Sequence, residues 1–301
     1  MNDMKLKIKN AFTMVELLVV IAIIGILATV MLGFFSGTTE TAKATLCMNN
    51  MKSLAIAAHN YASQNEYGHY PAAGSFLWLY YSGKITYHEQ VGWIARNLRG
   101  EKKIGSQISF SEEDNFKNKD AQNGLRQALT TGTLWSRLNG SRKIYQCPIH
   151  ADACYKRNKR YPGWSYVMNS DFGWSSEGSD PLKAWTGRSY GSWSAPDRVL
   201  MFAEIQGIDD PEYDLVANLN EKGEKGDSVL QYGSKYNETI GFNHKQKVGH
   251  WAAHVAFVDG HVGKFLVPEK GSIDLKKLTE KLCQGHELEY RSGQYIDLQE
   301  R

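Results

Sequence analysis

The sequence predicts an α+β fold, in which one long amino-terminal helix precedes a head domain built on an antiparallel β-sheet. Two patterns indicate the helix: an uncharged apolar run over residues 17–35, and after it a narrower apolar stripe with helical spacing. Short strand-forming runs and an Asp-Gly turn signal in the second half of the chain indicate the sheet. We therefore expect a helical stalk and one large head.

Composition excludes several classes of protein. The chain has 301 residues, of which 42% are hydrophobic and 22% are charged, as in an ordinary folded protein. A mean hydropathy of −0.45 argues against a polytopic membrane protein. The formal net charge is only +3, which gives no support for nucleic-acid binding, so we expect no nucleic-acid partner.

The apolar run Leu17–Phe35 has the length of a membrane span. A helix rises about 1.5 Å per residue, so its nineteen residues would cover about 28 Å, close to the hydrocarbon core of a bilayer. Lys5, Lys7 and Lys9 precede it, which predicts a cytoplasmic amino terminus and a head on the other side. A secretory signal peptide is the alternative, but this run exceeds the usual apolar core of about 7–15 residues.

Glu16 stands at the head of the apolar run, where a carboxylate requires a partner. If a peptidase cuts after Ala11, the new α-amino group of Phe12 lies four residues before Glu16, on the same face of a helix. The two charges could pair within one chain or between neighbouring subunits. In the second case Glu16 determines assembly and sets the axial register.

The segment around these residues resembles a known processing signal. Residues 11–21, with the sequence AFTMVELLVVI, are similar to the prepilin cleavage and methylation signal of type IV pilins and type II secretion pseudopilins. The resemblance implies that prepilin peptidase cuts between Ala11 and Phe12 and that Phe12 is N-methylated. Ala11 departs from the family pattern, which prefers Gly. The implied segments are a leader (1–11), a transmembrane and assembly helix (12–35), the amphipathic half of the helix (36–66) and an extracytoplasmic head (67–301).

Beyond the apolar run, a narrow apolar stripe continues the helix to about Asn65. It consists of side chains spaced four, three, four and three residues apart, namely Cys47, Met51, Leu54, Ala58 and Tyr61. Gly68 and Pro71 stop the pattern. The pilin resemblance implies that this stripe packs against the sheet of the head.

Gly25 and Gly33 interrupt the apolar half of the helix. One interpretation is that small residues let neighbouring membrane helices approach closely. The other, which the family resemblance suggests, is that Gly33 allows the helix to unwind locally when subunits pack into a filament. Both interpretations make the two glycines sites of helix flexibility or close packing.

Other segments narrow the resemblance to a subgroup. Residues 44–54 resemble the C-x-N-N-L-K-Q pattern of pseudopilin-like proteins abundant in planctomycetes, and residues 144–148, 164–169 and 196–204 resemble segments of the same subgroup. That subgroup is named for a His followed by nine residues and Asp-Gly. Here Gly249 occupies the His position and His250 follows it, so the motif is imperfect.

The four cysteines are Cys47, Cys147, Cys154 and Cys283, in a chain whose head is expected in an oxidising compartment. Cys147 and Cys154 are the closest in sequence and are the candidate disulfide. Zinc is the alternative, because Cys147, His150 and Cys154 lie near one another in sequence, but no fourth ligand is evident.

Residues 254–265 predict a β-hairpin whose Asp259-Gly260 suits a type I′ turn. His250, His254 and His261, together with His244, are the weak metal candidates in this region. The spacing contains no HExxH or equivalent motif and marks neither a base nor a nucleophile. We therefore predict no metal site, no catalytic residue and no enzymatic activity.

An acidic loop gives one further cofactor hypothesis. Carboxylates suited to Ca²⁺ cluster at Asp209, Asp210, Glu212 and Asp214. Their spacing lacks the D-x-D-x-D-G pattern, so the prediction is no resident cofactor, with Ca²⁺ as the alternative.

These observations favour a structural pseudopilin of a type II secretion system. The resemblance implies a single-pass subunit of the inner membrane with a periplasmic head. Its expected partners are other copies of itself, other pseudopilins, prepilin peptidase and the inner-membrane secretion platform. One alternative is a type IV pilin for adhesion, motility or DNA uptake. Another is a membrane-tethered protein that binds carbohydrate through its many aromatic residues or binds a metal ion.

Overall fold

The structure is a computed structural model, and the chain divides into two units, Met1–Ala42 and Lys43–Arg301. The described residues are 13–74, 76–81, 85–90, 92–94, 129–158, 163–173, 191, 193–205, 228–230, 232, 239–246, 250–267, 274–291 and 294–297. Only the backbone is described for 30–38, 76–81, 85–90, 157–158, 289–291 and 294–297.

The described part of the chain contains both helices and strands, and most of the strands follow one another directly along the chain. The helices are α1 (Met14–Gln64), α2 (Pro148–Asn158) and α3 (Leu275–Gln284). The strands are β1 (Phe76–Tyr81), β2 (Ile85–Gln90), β3 (Tyr166–Asn169), β4 (Leu200–Glu204), β5 (Val229–Leu230), β6 (His244–Lys245), β7 (Trp251–Phe257), β8 (Val262–Val267), β9 (Leu288–Arg291) and β10 (Gln294–Asp297). Short 3₁₀ turns occupy Ser136–Leu138, Arg142–Tyr145 and Ser170–Phe172. The predicted α+β class is confirmed.

Helix α1 runs without interruption for 51 residues, which confirms the long helix predicted from the two apolar patterns. It continues through Gly25 and Gly33. After Gln64, the side chain of Asn65 accepts a hydrogen bond from the Tyr67 N–H at 3.0 Å. Gly68 then adopts a φ of +63°, a left-handed conformation that ends the helical path at the predicted place.

Within the first unit, the helix exposes its apolar side chains. Every side chain described from Thr13 to Thr29 is exposed, including Leu18 at 64% and Ile26 at 65%. In the portion of the chain that the structure covers, no helix combines the length and the hydropathy needed to cross a membrane. The predicted span of residues 12–35 also includes Phe12 and side chains from residue 30 onward, which lie outside the described residues.

The second unit contains a six-stranded sheet in the order β5-β3-β4-β7-β6, with β8 also paired to β7. All of its pairs are antiparallel except β3 with β5, so the sheet is mixed, whereas we predicted a wholly antiparallel one. Strand β8 pairs with β7 from Trp251 to Ala256, and β4 and β6 therefore share the opposite edge of β7. Two separate ladders join β1 to β2 and β9 to β10.

Two buried clusters lie on the two faces of this sheet. One cluster joins the second half of α1 to Tyr166, Met168, Phe202 and Ala256. The other joins α3, through Leu278 and Leu282, to side chains of β4 and β7. Side chains alternate along a strand, and this alternation separates the two faces.

The predicted stripe of α1 is the surface that packs against the sheet. Cys47, Met51, Leu54 and Ala58 have no exposed surface, and Tyr61 is partly buried beside them. The stripe predicted from Cys47 to Tyr61 is therefore the face of the helix that is buried. Burial of these side chains supplies much of the free energy that holds the helix on the head.

The hairpin of β7 and β8 forms as predicted, but its turn differs. A type I′ turn requires positive φ at both central residues. Gly260 has a φ of +86°, whereas Asp259 does not have a positive φ. The Gly260 N–H donates to the Phe257 carbonyl at 2.9 Å, so the connection includes Val258 and is longer than the two residues predicted.

Candidate metal centre

In the buried interior of the second unit, side chains from three elements surround one carboxylate oxygen of a residue in a fourth element. At the end of β4, Oε1 of Glu204 lies 2.9 Å from Cys47 Sγ, 2.8 Å from His244 Nε2 and 2.7 Å from His254 Nδ1. Glu204 and Cys47 have no exposed surface, and the two imidazoles are 1% exposed. The donor atoms of the four residues all lie within 4.8 Å of one another.

The topology explains how distant residues meet here. Ala203 of β4 pairs with Val255 of β7, so in an antiparallel register the next residue, Glu204, lies opposite His254. His244 of β6 pairs with Ala252, beside β4 on the same edge of β7. Helix α1 covers this face of the sheet and adds Cys47 from its buried stripe.

Two further polar groups line the site. The Tyr166 hydroxyl donates to Cys47 Sγ at 3.3 Å, and Cys147 Sγ lies 3.5 Å from His244 Nε2. The rings of His244 and His254 meet edge to face, with centroids 4.3 Å apart. The site therefore holds two thiols, two imidazoles, one carboxylate and one phenol without contact with solvent.

The carboxylate and one imidazole form a buried ion pair. Burial alone would raise the pKa of Glu204, but the positive charge of His244 and the hydrogen bonds from His244 and His254 lower this pKa to about 2. Burial likewise disfavours the imidazolium, yet the Glu204 charge raises the pKa of His244 to about 10. Without a metal ion, Glu204 is therefore ionised and His244 protonated at neutral pH.

The two thiols differ in acidity. Burial raises the pKa of Cys47 well above its usual value, and the nearby Glu204 carboxylate acts in the same direction. Burial would also raise the pKa of Cys147, but hydrogen bonds from Cys47 and His244 outweigh it and lower this pKa to about 7. The site thus contains a neutral thiol at the carboxylate and a more acidic thiol at the imidazolium.

Three polar atoms of the site have no hydrogen-bond partner among the described residues. They are Glu204 Oε2, His244 Nδ1 and His254 Nε2. A buried polar atom without a partner costs about 1–3 kcal/mol. Three side chains contact the same carboxylate oxygen, Oε1. The lone pairs of the second oxygen, Oε2, are therefore available for a ligand.

A neighbouring set of contacts connects the same helix to the head. Asn50 of α1 donates to the backbone carbonyls of Lys143 (3.2 Å) and Gln146 (3.0 Å). Lys52 donates to the carbonyl of Gly260 at 2.5 Å. Of the polar side chains in residues 47–52, Cys47 and Asn50 are buried against the head, whereas Asn49 and Lys52 are exposed, and Lys52 contacts the head through its Nζ.

Comparison with protein families gives two matches. Residues 39–210, more than half of the chain, match a family described as a protein of unknown function (DUF1559), and residues 6–32 match the prokaryotic N-terminal methylation motif. The chain belongs to the DUF1559 family. Comparisons with curated proteins and with solved structures find no match.

Together, the DUF1559 domain and the methylation motif confirm the predicted resemblance to the planctomycete-type, pilin-like subgroup. The chain is a pilin-type subunit with a prepilin-like amino terminus. This family is pilin-like and structural, without known enzymes.

The metal candidates predicted from the sequence of this DUF1559 protein separate in the structure. His254 belongs to the site, and His244, named with it, is the second imidazole. His250 is partly exposed, and His261 stacks on Phe257 with its Nδ1 2.6 Å from the Asp259 carboxylate. The acidic loop of residues 209–214, suggested for Ca²⁺, lies outside the described residues.

The predicted Cys147–Cys154 disulfide is not formed, and all four cysteines are free and buried. Cys147 immediately precedes α2, and its carbonyl accepts from the Ala151 N–H at 2.8 Å, while Cys154 lies two turns further on. Seven residues of helix separate two Cα atoms by about 10 Å, beyond the reach of a disulfide. The alternative zinc set separates too, because Cys154 contacts His150 at 3.5 Å while Cys147 faces His244.

Of the processing residues, Ala11 and Phe12 lie outside the described residues. Glu16 is described, and its carboxylate accepts from the Thr13 N–H and from the Thr13 hydroxyl, both at 2.8 Å. The Glu16 N–H donates back to the Thr13 hydroxyl at 3.3 Å. This reciprocal pair is a capping box, so Glu16 stabilises the start of α1 within its own chain.

Sequence reasoning missed two residues of the candidate metal centre. Cys47 was assigned only to the packing stripe, and Glu204 only to a strand-forming run. A sequence signal for Glu204 does exist, because a carboxylate at the end of an otherwise apolar run predicts a buried charge that needs a partner. The capping box also had a signal, since Thr13 and Glu16 have the S/T-x-x-E spacing.

Proposed function

We propose that this protein is a pseudopilin subunit of a type II secretion system. Prepilin peptidase removes residues 1–11, Phe12 becomes the N-methylated amino terminus, and the subunits assemble into a periplasmic filament that helps to move proteins outward. The protein acts by assembly and not by turnover. The helix anchors the subunit in the inner membrane before assembly, with the head on the periplasmic side.

The observation that carries this proposal is the methylation motif at the start of a helix with exposed apolar side chains. The motif covers residues 6–32, and every described side chain from Thr13 to Thr29 is exposed. A continuous apolar surface of this kind requires lipid or other protein around it. A bilayer before assembly and neighbouring helices in a filament meet that requirement in turn.

Glu16 has a defined place in this scheme. Its carboxylate is held by Thr13 in the single chain and is exposed. When the helix enters a filament, the methylated amine of Phe12 on a neighbouring subunit offers a charged partner in a medium with little water, where an ion pair is stronger. Exchange of the Thr13 contact for this pair would fix the axial register between subunits.

The processing step is tested by mass spectrometry of the full chain purified from its membranes. We expect a mature chain that begins at Phe12 and carries one added methyl group. Arg in place of Ala11 should block cleavage and leave residues 1–11 attached. A mature chain with another amino terminus, or an unmethylated Phe12, would contradict the proposal.

Assembly is tested with Glu16→Val and with the matched variant Glu40→Gln, which changes an exposed carboxylate of the same helix. Filaments are collected by shearing after overproduction of the subunit. We expect Glu16→Val to be inserted and processed but to be lost from filaments, and Glu40→Gln to assemble normally. Normal assembly of Glu16→Val would refute the register role.

The secretion role is tested by deletion of the gene, followed by comparison of the exported proteins and of the surface pili. Loss of a set of exported proteins with pili intact supports a type II secretion pseudopilin. Intact export with loss of pili, adhesion or DNA uptake would replace the proposal with the type IV pilin alternative.

A further inference from the structure

We propose that Cys47, Glu204, His244 and His254 bind one Zn²⁺ ion in a closed, structural site that joins the second half of α1 to the sheet. The site lies wholly within the unit Lys43–Arg301. This inference goes beyond the filament function and is independent of it, because it concerns how the head is held together.

The donor set has the chemistry that zinc prefers. Zinc is bound in proteins by thiolate sulfur, imidazole nitrogen and carboxylate oxygen, mostly in a tetrahedral arrangement of four ligands. The cluster offers one sulfur, one carboxylate and two imidazoles from different elements. Binding of a divalent cation would release the protons of the Cys47 thiol and of the His244 imidazolium, and the cation would neutralise the two negative charges of the resulting thiolate and the carboxylate in a site closed to water.

The geometry already brings the donors to a common centre. Sγ of Cys47, Nε2 of His244 and Nδ1 of His254 surround Glu204 Oε1 at 2.7–2.9 Å. Glu204 Oε2 is buried and has no hydrogen-bond partner among the residues that the structure describes, so the carboxylate can turn and bind an ion between the four residues. Four protein ligands leave no open coordination position, which favours a structural role over catalysis.

The site would join parts of the chain that are far apart in sequence. Cys47 is separated from Glu204 by 157 residues, and His244 and His254 come from two further strands. The unfolded chain does not bring these residues together, so Zn²⁺ would bind the folded state selectively and stabilise it by mass action. Zinc would therefore hold residues 44–54 of α1, the segment that resembles the C-x-N-N-L-K-Q pattern, against the head.

Cys147 offers a competing chemistry. Its sulfur lies against His244, and the hydrogen bond between the two cysteines brings it near Cys47. In an oxidising compartment these two thiols could form a disulfide, which would remove the Cys47 thiolate from the metal site. The two outcomes exclude each other, so one experiment separates them.

The experiment uses the full chain, purified in detergent without chelator, and measures metal by mass spectrometry and affinity by titration with Zn²⁺ alone. We expect about one zinc ion per chain. Cys47→Ser, Glu204→Gln, His244→Asn and His254→Asn should each weaken Zn²⁺ binding at least about tenfold, because even residues behind metal ligands contribute 10–100-fold.

Two control variants should keep the zinc. Cys283→Ser changes a buried cysteine of the cluster on the other face of the sheet, and His261→Asn changes an exposed histidine beside the turn of the β7–β8 hairpin. In case the ligand variants do not fold, Co²⁺ added to the metal-depleted wild type gives a second measurement. We expect the visible bands of tetrahedral cobalt and a thiolate-to-cobalt charge-transfer band.

Two results would overturn the proposal. One is wild-type protein that binds neither Zn²⁺ nor Co²⁺ after reduction. The other is a Cys47–Cys147 disulfide in the protein as isolated, with a melting temperature that Zn²⁺ does not change. Neither result bears on the proposed filament function, which is read from the amino terminus and from assembly.

Discussion

The two halves of helix α1 differ in which side chains they expose and which they bury. From Thr13 to Thr29 the described side chains are all exposed, although most are apolar. From Cys47 onward the helix buries not only apolar side chains but also polar ones, such as the Cys47 thiol and Asn50. One continuous helix therefore leaves its apolar surface open in the first half and directs polar groups into its own head in the second.

This difference teaches how to assign function along the helix. The free energy of burying the first half can come only from something outside the described chain, such as lipid or neighbouring subunits. The second half obtains it from its own head, and its polar side chains have specific partners there. Changes in the first half should therefore affect insertion and assembly, and changes in the second should affect stability.

The largest expected effect is the loss of packing in the second half. Leu54→Ala, at a side chain with no exposed surface, should lower the free energy of unfolding by about 2–5 kcal/mol because it leaves a cavity in the core. Leu18→Ala, at a side chain that is 64% exposed, should change it by less than about 0.5 kcal/mol. Denaturant unfolding followed by tryptophan fluorescence measures both. Equal losses for the two variants would break the comparison.

The next largest effect is the pH dependence of stability, which comes from the buried imidazole of His150. The described side chains of residues 13–29 are all exposed and include no buried titratable group. His150 is buried, with its ring 2.8 Å from the Ser165 hydroxyl and 3.5 Å from Cys154 Sγ, and burial lowers the pKa of His150 from 6.5 to about 4. Between these pH values the unfolded chain binds a proton that the folded chain does not. Stability should therefore be lost as the pH falls from 6.5 to 4, by up to about 3 kcal/mol.

The measurement is the melting temperature of the wild type and of His150→Gln from pH 7 to pH 4. The variant cannot take up this proton, so its melting temperature should fall less over the interval, whatever its value at pH 7. Two curves that remain parallel throughout would show that His150 does not contribute to the loss.

A smaller effect separates two neighbouring asparagines of the motif. Asn50→Ala removes the donor to two backbone carbonyls in a buried setting and should lower the free energy of unfolding by about 1–3 kcal/mol. Asn49→Ala changes an exposed side chain and should cost less than about 0.5 kcal/mol. Chemical denaturation of the pair gives the difference. A larger loss for Asn49→Ala would contradict the conclusion that Asn50 is the asparagine that holds the helix to the head.

Sequence reasoning succeeded where a local pattern carries the information. The stripe from Cys47 to Tyr61 repeats at helical spacing, and the strand-forming residues around Asp259-Gly260 correctly predicted the hairpin of β7 and β8. Both depend on periodicity within a few turns or residues. Periodicity could not predict the candidate metal centre, because the geometry of that site depends on which strands lie beside β7 and in which register.

Two of the wrong predictions have a common cause. Cys147 and Cys154 were paired because they are close in sequence, but α2 between them holds their Cα atoms too far apart. The Asp259-Gly260 turn was assigned from a dipeptide, but the backbone includes Val258 in the turn. Proximity in sequence predicts a contact only when the conformation of the intervening residues is known.

The smallest expected effect lies at the first turn of the exposed half. Thr13→Ala removes the hydroxyl that donates to the Glu16 carboxylate and accepts from the Glu16 N–H, and so weakens the capping box, although the backbone N–H of residue 13 remains. We expect faster amide hydrogen exchange at residues 14–17, with no change in the melting temperature of the head. Thr29→Ala is the matched control, because the Thr29 hydroxyl donates to the Ile26 carbonyl inside the same helix and takes no part in capping. If exchange at residues 14–17 does not change in Thr13→Ala, the start of α1 does not depend on this cap. Glu16 would then give up no stabilising contact of its own chain when its carboxylate pairs with the amine of another subunit.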